Sequence, residues 1–187
     1  MPAVLLLIVL NVGVFILPYL VKFGATTASS VNYLTRLLAK DNQAIENGEW
    51  YRLLTSNYMH TDLYHILFNM FSLWSIGNST FVVFRESTPV FLTIYTLSGI
   101  GGSYLSKLLS PTNSIGASGA IFGLAGALIS YAFMSRNYDM LSNLLFVIGI
   151  NLVLPFVMPN LRIDNYGHLG GLITGLLLGA LVYVWQR

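Results

Sequence analysis

The chain has 187 residues, 55% of them hydrophobic, and only 16 carry a formal charge (9 Lys or Arg, 7 Asp or Glu). Soluble domains hold roughly 25% charged residues, so the 9% here excludes a disordered chain, a basic nucleic-acid binder and nearly any soluble domain, while a net charge of +2 is too small to imply an anionic partner. With no Cys, disulfides, thiolate catalysis and Cys-ligated zinc are also excluded, which leaves a polytopic membrane protein whose residues 1–187 form one domain.

Six charge-free stretches reach 20 residues: 1–21, 63–84, 87–106, 108–135, 140–161 and 165–186. A bilayer-spanning helix needs roughly 20 apolar residues, and a charge at its centre costs about 2.5–3.5 kcal/mol. The pattern predicts an all-α bundle of six transmembrane helices near 3–21, 63–79, 88–107, 118–135, 141–158 and 167–186.

In chain order, the first span lacks the basic leader and small-x-small cleavage site of a signal peptide. The one long connection, 22–62, follows, with 8 of the 16 charges and with Tyr33, Trp50, Tyr51 and Tyr58, which suit the headgroup layer. Within it, residues 31–38 carry apolar side chains at helical spacing and predict a short interfacial helix. The second span is expected to end among Gly77, Asn78 and Ser79. The fourth begins near Ser118, because residues 110–116 are turn chemistry. The fifth contains Pro155 and ends by Pro159, so a kink or loose packing is expected at its far end. Asn11, Asn143 and Asn151 are expected to hydrogen-bond between helices, and Met59, Phe68, Phe71 and Phe122 to serve packing.

Polar groups inside spans are functional candidates. No carboxylate lies well inside any span, which argues against an aspartyl protease and a proton-coupled transporter. The absence of His-Glu-x-x-His argues against a zinc protease, and no metal or cofactor is expected. What remains is His65, Asn69, Ser118 and His168. Spans two, four and six run in the same direction, so their N-terminal ends share one side of the membrane. At 1.5 Å per residue all four residues fall within roughly 10 Å of that surface. Gly167, Gly171, Gly175 and Gly179 repeat every fourth residue in span six, as Gly119, Gly123 and Ala127 do in span four. Such stripes permit close helix contact in lipid, which would put Ser118 beside His168; packing alone explains the glycines equally well. A serine hydroxyl needs a base to become a nucleophile, and the oxyanion that follows needs donors. His168 is the candidate base, and the Ser118 amide, the His65 ring and the Asn69 amide are the candidate donors. With no carboxylate to orient the base, the pair would be a dyad. His60, near Asp62, is read as a structural hydrogen bonder.

These residues resemble the rhomboid family of intramembrane serine proteases. The resemblance rests on Gly116-Ala117-Ser118-Gly119, on His60, His65 and Asn69 in His-x-x-x-x-His-x-x-x-Asn, on His168 followed by Gly171 and Gly175, and on Trp50-Tyr51-Arg52. It covers about residues 49–179. It implies a six-span bundle with a long, partly helical first loop, with Ser118 as nucleophile, His168 as base, and Ser118, His65 and Asn69 as the oxyanion hole. It implies an endopeptidase cutting in or near the transmembrane helix of another membrane protein, with the lipid bilayer as its medium and a gate formed by span five and the loop 159–166. Phe122 stands where many relatives have a Tyr stacked on the base, and Gly167 where Ala is frequent. An inactive rhomboid-like binding factor is the alternative. The resemblance also implies an extracytoplasmic active site in the plasma (inner) membrane, and the compact form suggests a bacterial protein. Charge opposes that orientation: Lys22, Arg36, Lys40, Arg52, Lys107 and Arg162 lie on one side, and only Arg85, Arg136 and Arg187 on the other.

Overall fold

A computed structural model describes the backbone of residues 2–157 and 163–187, and the side chains of all of these except 154–157. Among the described residues there are nine α-helices and one 3-10 turn, and the only β-type pairing is an isolated bridge between Lys40 and Ser114. The helices are α1 (Pro2–Leu20), α2 (Thr27–Leu38), α3 (Asn42–Glu46), α4 (Arg52–Thr55), α5 (Leu63–Val83), α6 (Thr88–Leu109), α7 (Ser118–Met134), α8 (Tyr138–Val157) and α9 (Asn165–Trp185), with the 3-10 turn at Ser56–Tyr58. The six long ones lie over the six charge-free stretches, although α6 runs on past Lys107 and α8 begins before Asp139. Taken singly, α1, α5 and α9 are long and apolar enough to cross a membrane, and the chain is an all-α, multi-pass membrane protein.

The centre is α7. Of its 17 residues 13 are buried, as expected of a helix apolar on every side. It packs most extensively on α9, with α6 closing the third side of the contact. The glycine stripes are the reason. A methyl group at Gly171 would run into the Gly119 carbonyl, one at Gly175 into the Gly123 carbonyl, and one at Gly179 into the backbone of Ala127. On the α6 side, a methyl at Gly102 would strike the Gly167 carbonyl. α7 and α9 therefore meet backbone on backbone, and the α6 backbone joins them at Gly102. On the other flank, Leu73, Phe81, Phe91, Ile94, Tyr95 and Leu124 form the larger side-chain core with α1. α8 leans on α7 through a smaller cluster of Phe122, Ala125, Ile129 and Ile148.

Several boundaries differ from expectation. α5 runs on to Val83, past Gly77, Asn78 and Ser79. Gly77 is a contact point for Val4 of α1, and Asn78, Ser79 and Thr80 bond back to the carbonyls of Trp74, Ser75 and Ile76. Polar side chains that satisfy themselves this way do not end a helix. α8 starts early, at Tyr138, because the Asn137 side chain accepts from the Met140 amide at 3.1 Å. The first connection is more ordered than one interfacial helix: α2 begins at Thr27 behind Thr26, whose capping box with Ser29 supplies the start, and α3 follows an Asp41 cap. The side-chain amides of Asn11 and Asn151 donate to the Leu7 and Val147 carbonyls of their own helices. Phe68 and Phe71 lie on the exposed face of α5, not in the core, whereas Met59 is buried. Of the expected gate loop, residues 159–162 lie outside the described residues.

Candidate active site

The site is assembled where α5, α7 and α9 begin. The turn leading into α7 is held from below by the first connection. Lys40 and Ser114 exchange backbone bonds of 3.0 and 3.1 Å. The Lys40 ammonium donates to the Thr112 carbonyl at 2.6 Å, Asn42 donates to the Ser110 carbonyl at 2.8 Å, and Asn113 to Asp41 at 2.9 Å. Lys40 is completely buried, and that burial holds its ammonium below the usual lysine range, partly offset by the charges of Asp164 and Asp41. The turn ends on Gly116, whose φ of +117° demands glycine and whose amide donates to the Ser56 carbonyl at 2.9 Å. A side chain there would also meet the His65 ring, since a Cβ would sit 2.7 Å from its Nε2.

Ser118 then opens α7, and no side chain caps that helix start. The neighbouring starts differ. Asp62 accepts from the His65 amide at 2.8 Å in α5, and Asp164 accepts from the Gly167 amide at 2.9 Å in α9. The first amides of α7 are thus left free to point at a ligand, and a helix N-terminus favours negative charge.

His168 lies in the first turn of α9, and the glycine contact below it fixes its height against α7. Its Nε2 is 2.8 Å from the Ser118 hydroxyl oxygen. The Phe122 ring lies flat against the imidazole, 4.1 Å between centroids and 12° between planes, so the stack survives without a tyrosine hydroxyl. His168 Nδ1 is buried and has no hydrogen-bond partner among the described residues. No carboxylate therefore orients the ring, and the stacking aromatic and the close-packed backbone do so instead.

Across the turn sit the α5 groups. The Asn69 amide nitrogen donates to the His65 carbonyl at 3.1 Å and lies 3.2 Å from His60 Nε2. The Ala117 amide also points at His60 Nε2, at 3.4 Å. With two N–H groups aimed at it, Nε2 is the acceptor, and the neutral ring carries its proton on Nδ1. Burial, and next the neighbouring His65, push His60 down to about 4, in keeping with that assignment. The two rings meet edge-on at 4.9 Å. A cavity of about 20 Å³, room for about one water, opens beside Ser118 and His168 and is lined also by Ser56, Ser103, Gly116 and Asp164.

Ser118 and His168 thus stand in hydrogen-bond contact, and His65 and Asn69 face the same turn from α5. Sequence reasoning gave His60 only a general structural part, and it overlooked Asp164 and Lys40. Asp164 had a legible signal, an Asp three residues before Gly167 at a helix start. Lys40 had none, since a lysine in a charged loop gives no hint of burial.

A family model described as the Rhomboid domain matches residues 47–185. The chain is 43% identical over 145 residues to Rhomboid protease GluP of Bacillus subtilis (strain 168), an alignment covering 76% of this chain and 28% of that protein. It is 37% identical over 153 residues to RHOMBOID-like protein 4 of Arabidopsis thaliana, covering 76% and 36% respectively. It is 31% identical over 159 residues to Rhomboid-like protease 1 of Toxoplasma gondii, covering 81% and 54%. The chain therefore spans between about a quarter and about a half of the length of these curated relatives. It belongs to the rhomboid family.

Proposed function

We propose that this rhomboid-family chain is a serine endopeptidase of the bilayer, cutting a peptide bond in or near the transmembrane helix of a membrane-protein substrate through a Ser118–His168 dyad. The observation that carries the reading is the 2.8 Å contact between the Ser118 hydroxyl and His168 Nε2. The hydroxyl donates its proton to Nε2 as the oxygen attacks the scissile carbonyl. His168 passes that proton to the departing amine, leaving an acyl-enzyme on Ser118. Water then attacks the ester, gives a proton to Nε2, and Ser118 recovers it on release of the acid.

The tetrahedral oxyanion is held by the Ser118 amide, at the uncapped start of α7, together with His65 and Asn69. Both Asn69 amide protons already have partners, the His65 carbonyl and His60 Nε2. In this scheme Asn69 exchanges the longer bond, to His60, for the oxyanion. Six helices cross the bilayer, with the site on the extracytoplasmic side of the plasma membrane. The opposing count of basic residues is weakened because Arg52 pairs with Glu49, Lys107 pairs with Glu46, and Lys40 is buried.

The test is cleavage of a transmembrane substrate by purified protein in detergent. Ser118→Ala and His168→Ala are each expected to abolish cleavage while the thermal melt is retained, and EDTA is expected to have no effect. Cleavage by Ser118→Ala would overturn the nucleophile. A wild-type chain that folds and binds such helices but never cuts them would favour a binding factor.

A further inference from the structure

We infer that Asp164 is a positioning residue for the base: it clamps the first turn of α9 onto α6 and so sets the reach from His168 to Ser118. The inference rests on the protease reading above. Three contacts carry it. One carboxylate oxygen, Oδ1, accepts from the Gly167 amide at 2.9 Å, which is ordinary capping. The main-chain carbonyl accepts from the His168 amide at 3.0 Å. The second carboxylate oxygen, Oδ2, accepts a short bond from the hydroxyl of Ser106, a fully buried residue of α6.

The last contact is not needed to start a helix. It joins two helices one turn above the place where their backbones touch: a methyl at Gly102 would stand 2.5 Å from the Gly167 carbonyl. His168 therefore lies between two fixed points, the Gly171–Gly119 contact below and the Asp164–Ser106 bond above. Small displacements matter at that position. A shift of about 1 Å would stretch the 2.8 Å dyad contact beyond hydrogen-bond range, and misplacement on that scale can cost about 10²-fold in rate. The carboxylate also borders the cavity that Ser118 and His168 share.

The experiment compares Asp164→Ala, Asp164→Asn and Ser106→Ala in the purified full chain. Its readouts are the rate of Ser118 labelling by a fluorophosphonate, kcat and KM for a transmembrane substrate, and the thermal melt. Asp164→Ala is expected to lower both labelling rate and kcat at least about tenfold, with KM within about twofold. Ser106→Ala keeps the cap and is expected to lower them about threefold with the melt unchanged. Asp164→Asn still caps α9 and can still bond Ser106, so it is expected to stay within about threefold of wild type. Wild-type labelling in both Asp164→Ala and Ser106→Ala would overturn the inference. So would a loss confined to KM, or an Asp164→Asn as slow as the alanine variant. Should Asp164→Ala fail to fold, Ser106→Ala decides alone. If the wild-type chain is not labelled at Ser118, the protease reading itself has failed, a result separate from these.

Discussion

α7 is contacted from two sides in opposite ways. Against α9 it presents glycine to glycine, so that Gly171 and Gly175 rest on the Gly119 and Gly123 carbonyls. Against α8 it presents Phe122, Ala125 and Ile129, which meet Ile148 and the partly buried Leu141, Leu144 and Leu152. The first contact is backbone on backbone and has one register. The second is interlocking side chains with rotamer freedom, and Gly149 of α8 faces nothing within 4 Å. The two partners of the proposed dyad, Ser118 and His168, lie on the rigid contact. Phe122 belongs to both, stacked on His168 and packed toward α8. Under the proposed protease reading, a substrate helix has to be admitted while a 2.8 Å hydrogen bond is held, and separate faces of one helix keep the two demands apart.

The largest effect that could break this contrast is a branched side chain on the rigid face. Gly175→Val would put its Cβ into the Gly123 carbonyl, and backbone cannot yield as a side chain can. Overpacking typically costs 1–3 kcal/mol, and this site lies at or above the top of that range. The expected outcome in detergent is a melting temperature lowered by many degrees or no folded protein. A near-normal melt would mean that the α7–α9 contact is looser than drawn.

How much of this was legible beforehand follows the same division. The close α7–α9 contact could be read because glycines at every fourth residue on both helices mark a place where backbones can approach; the stripes alone allow several registers, and the one formed sets Gly171 on Gly119 and Gly175 on Gly123. The places of the long helices could be read because charges are costly in lipid, whatever the packing. The third partner was missed: Gly101 and Gly102 of α6 show no stripe, yet their backbones sit against Gly167 and Gly170. The end of α5 was misread because Asn78 and Ser79 suggest a stop until their back-bonds to Trp74 and Ser75 are seen. The hold of Lys40 on residues 112–114 joins segments about 70 residues apart, and no local pattern encodes it.

On the α5 side the larger effect is kinetic. Asn69→Ala is expected to lower kcat by roughly 10²-fold, the usual loss for one oxyanion donor, and to lower the melt as well, because it removes buried bonds to His60 and the His65 carbonyl. A variant that cuts at the wild-type rate would remove Asn69 from the oxyanion site and leave its bonds to His60 and the His65 carbonyl as its only role.

His60 gives a smaller effect with a defined pH dependence. Its folded-state pKa lies near 4 against 6.5 for an ordinary histidine, so the unfolded chain binds the proton first. The neutral ring's contribution to stability is full above pH 6.5 and is lost as pH falls toward 4, at a slope of at most about 1 kcal/mol per pH unit. His60→Leu leaves the Ala117 amide and the Asn69 amide short of an acceptor, a cost of about 1–3 kcal/mol at neutral pH. It should also flatten that part of the stability–pH curve. Urea or thermal unfolding across this pH range measures both, and an unchanged slope would mean that His60 titrates alike in the folded and unfolded chain.

Gly149→Ala should have the smallest effect and the opposite sign to Gly175→Val. Both replace a glycine inside a long helix. At Gly149 the new methyl meets no atom within 4 Å, and an exposed helical glycine costs about 0.5–1 kcal/mol relative to alanine. The melt should therefore rise slightly, with labelling of Ser118 unchanged. A fall would show that the outer face of α8 packs against something, and the α8 side would then be less free than the contrast between the two contacts requires. With Gly175→Val harmful and Gly149→Ala mildly favourable, the difference between the faces is one of packing and not of glycine content.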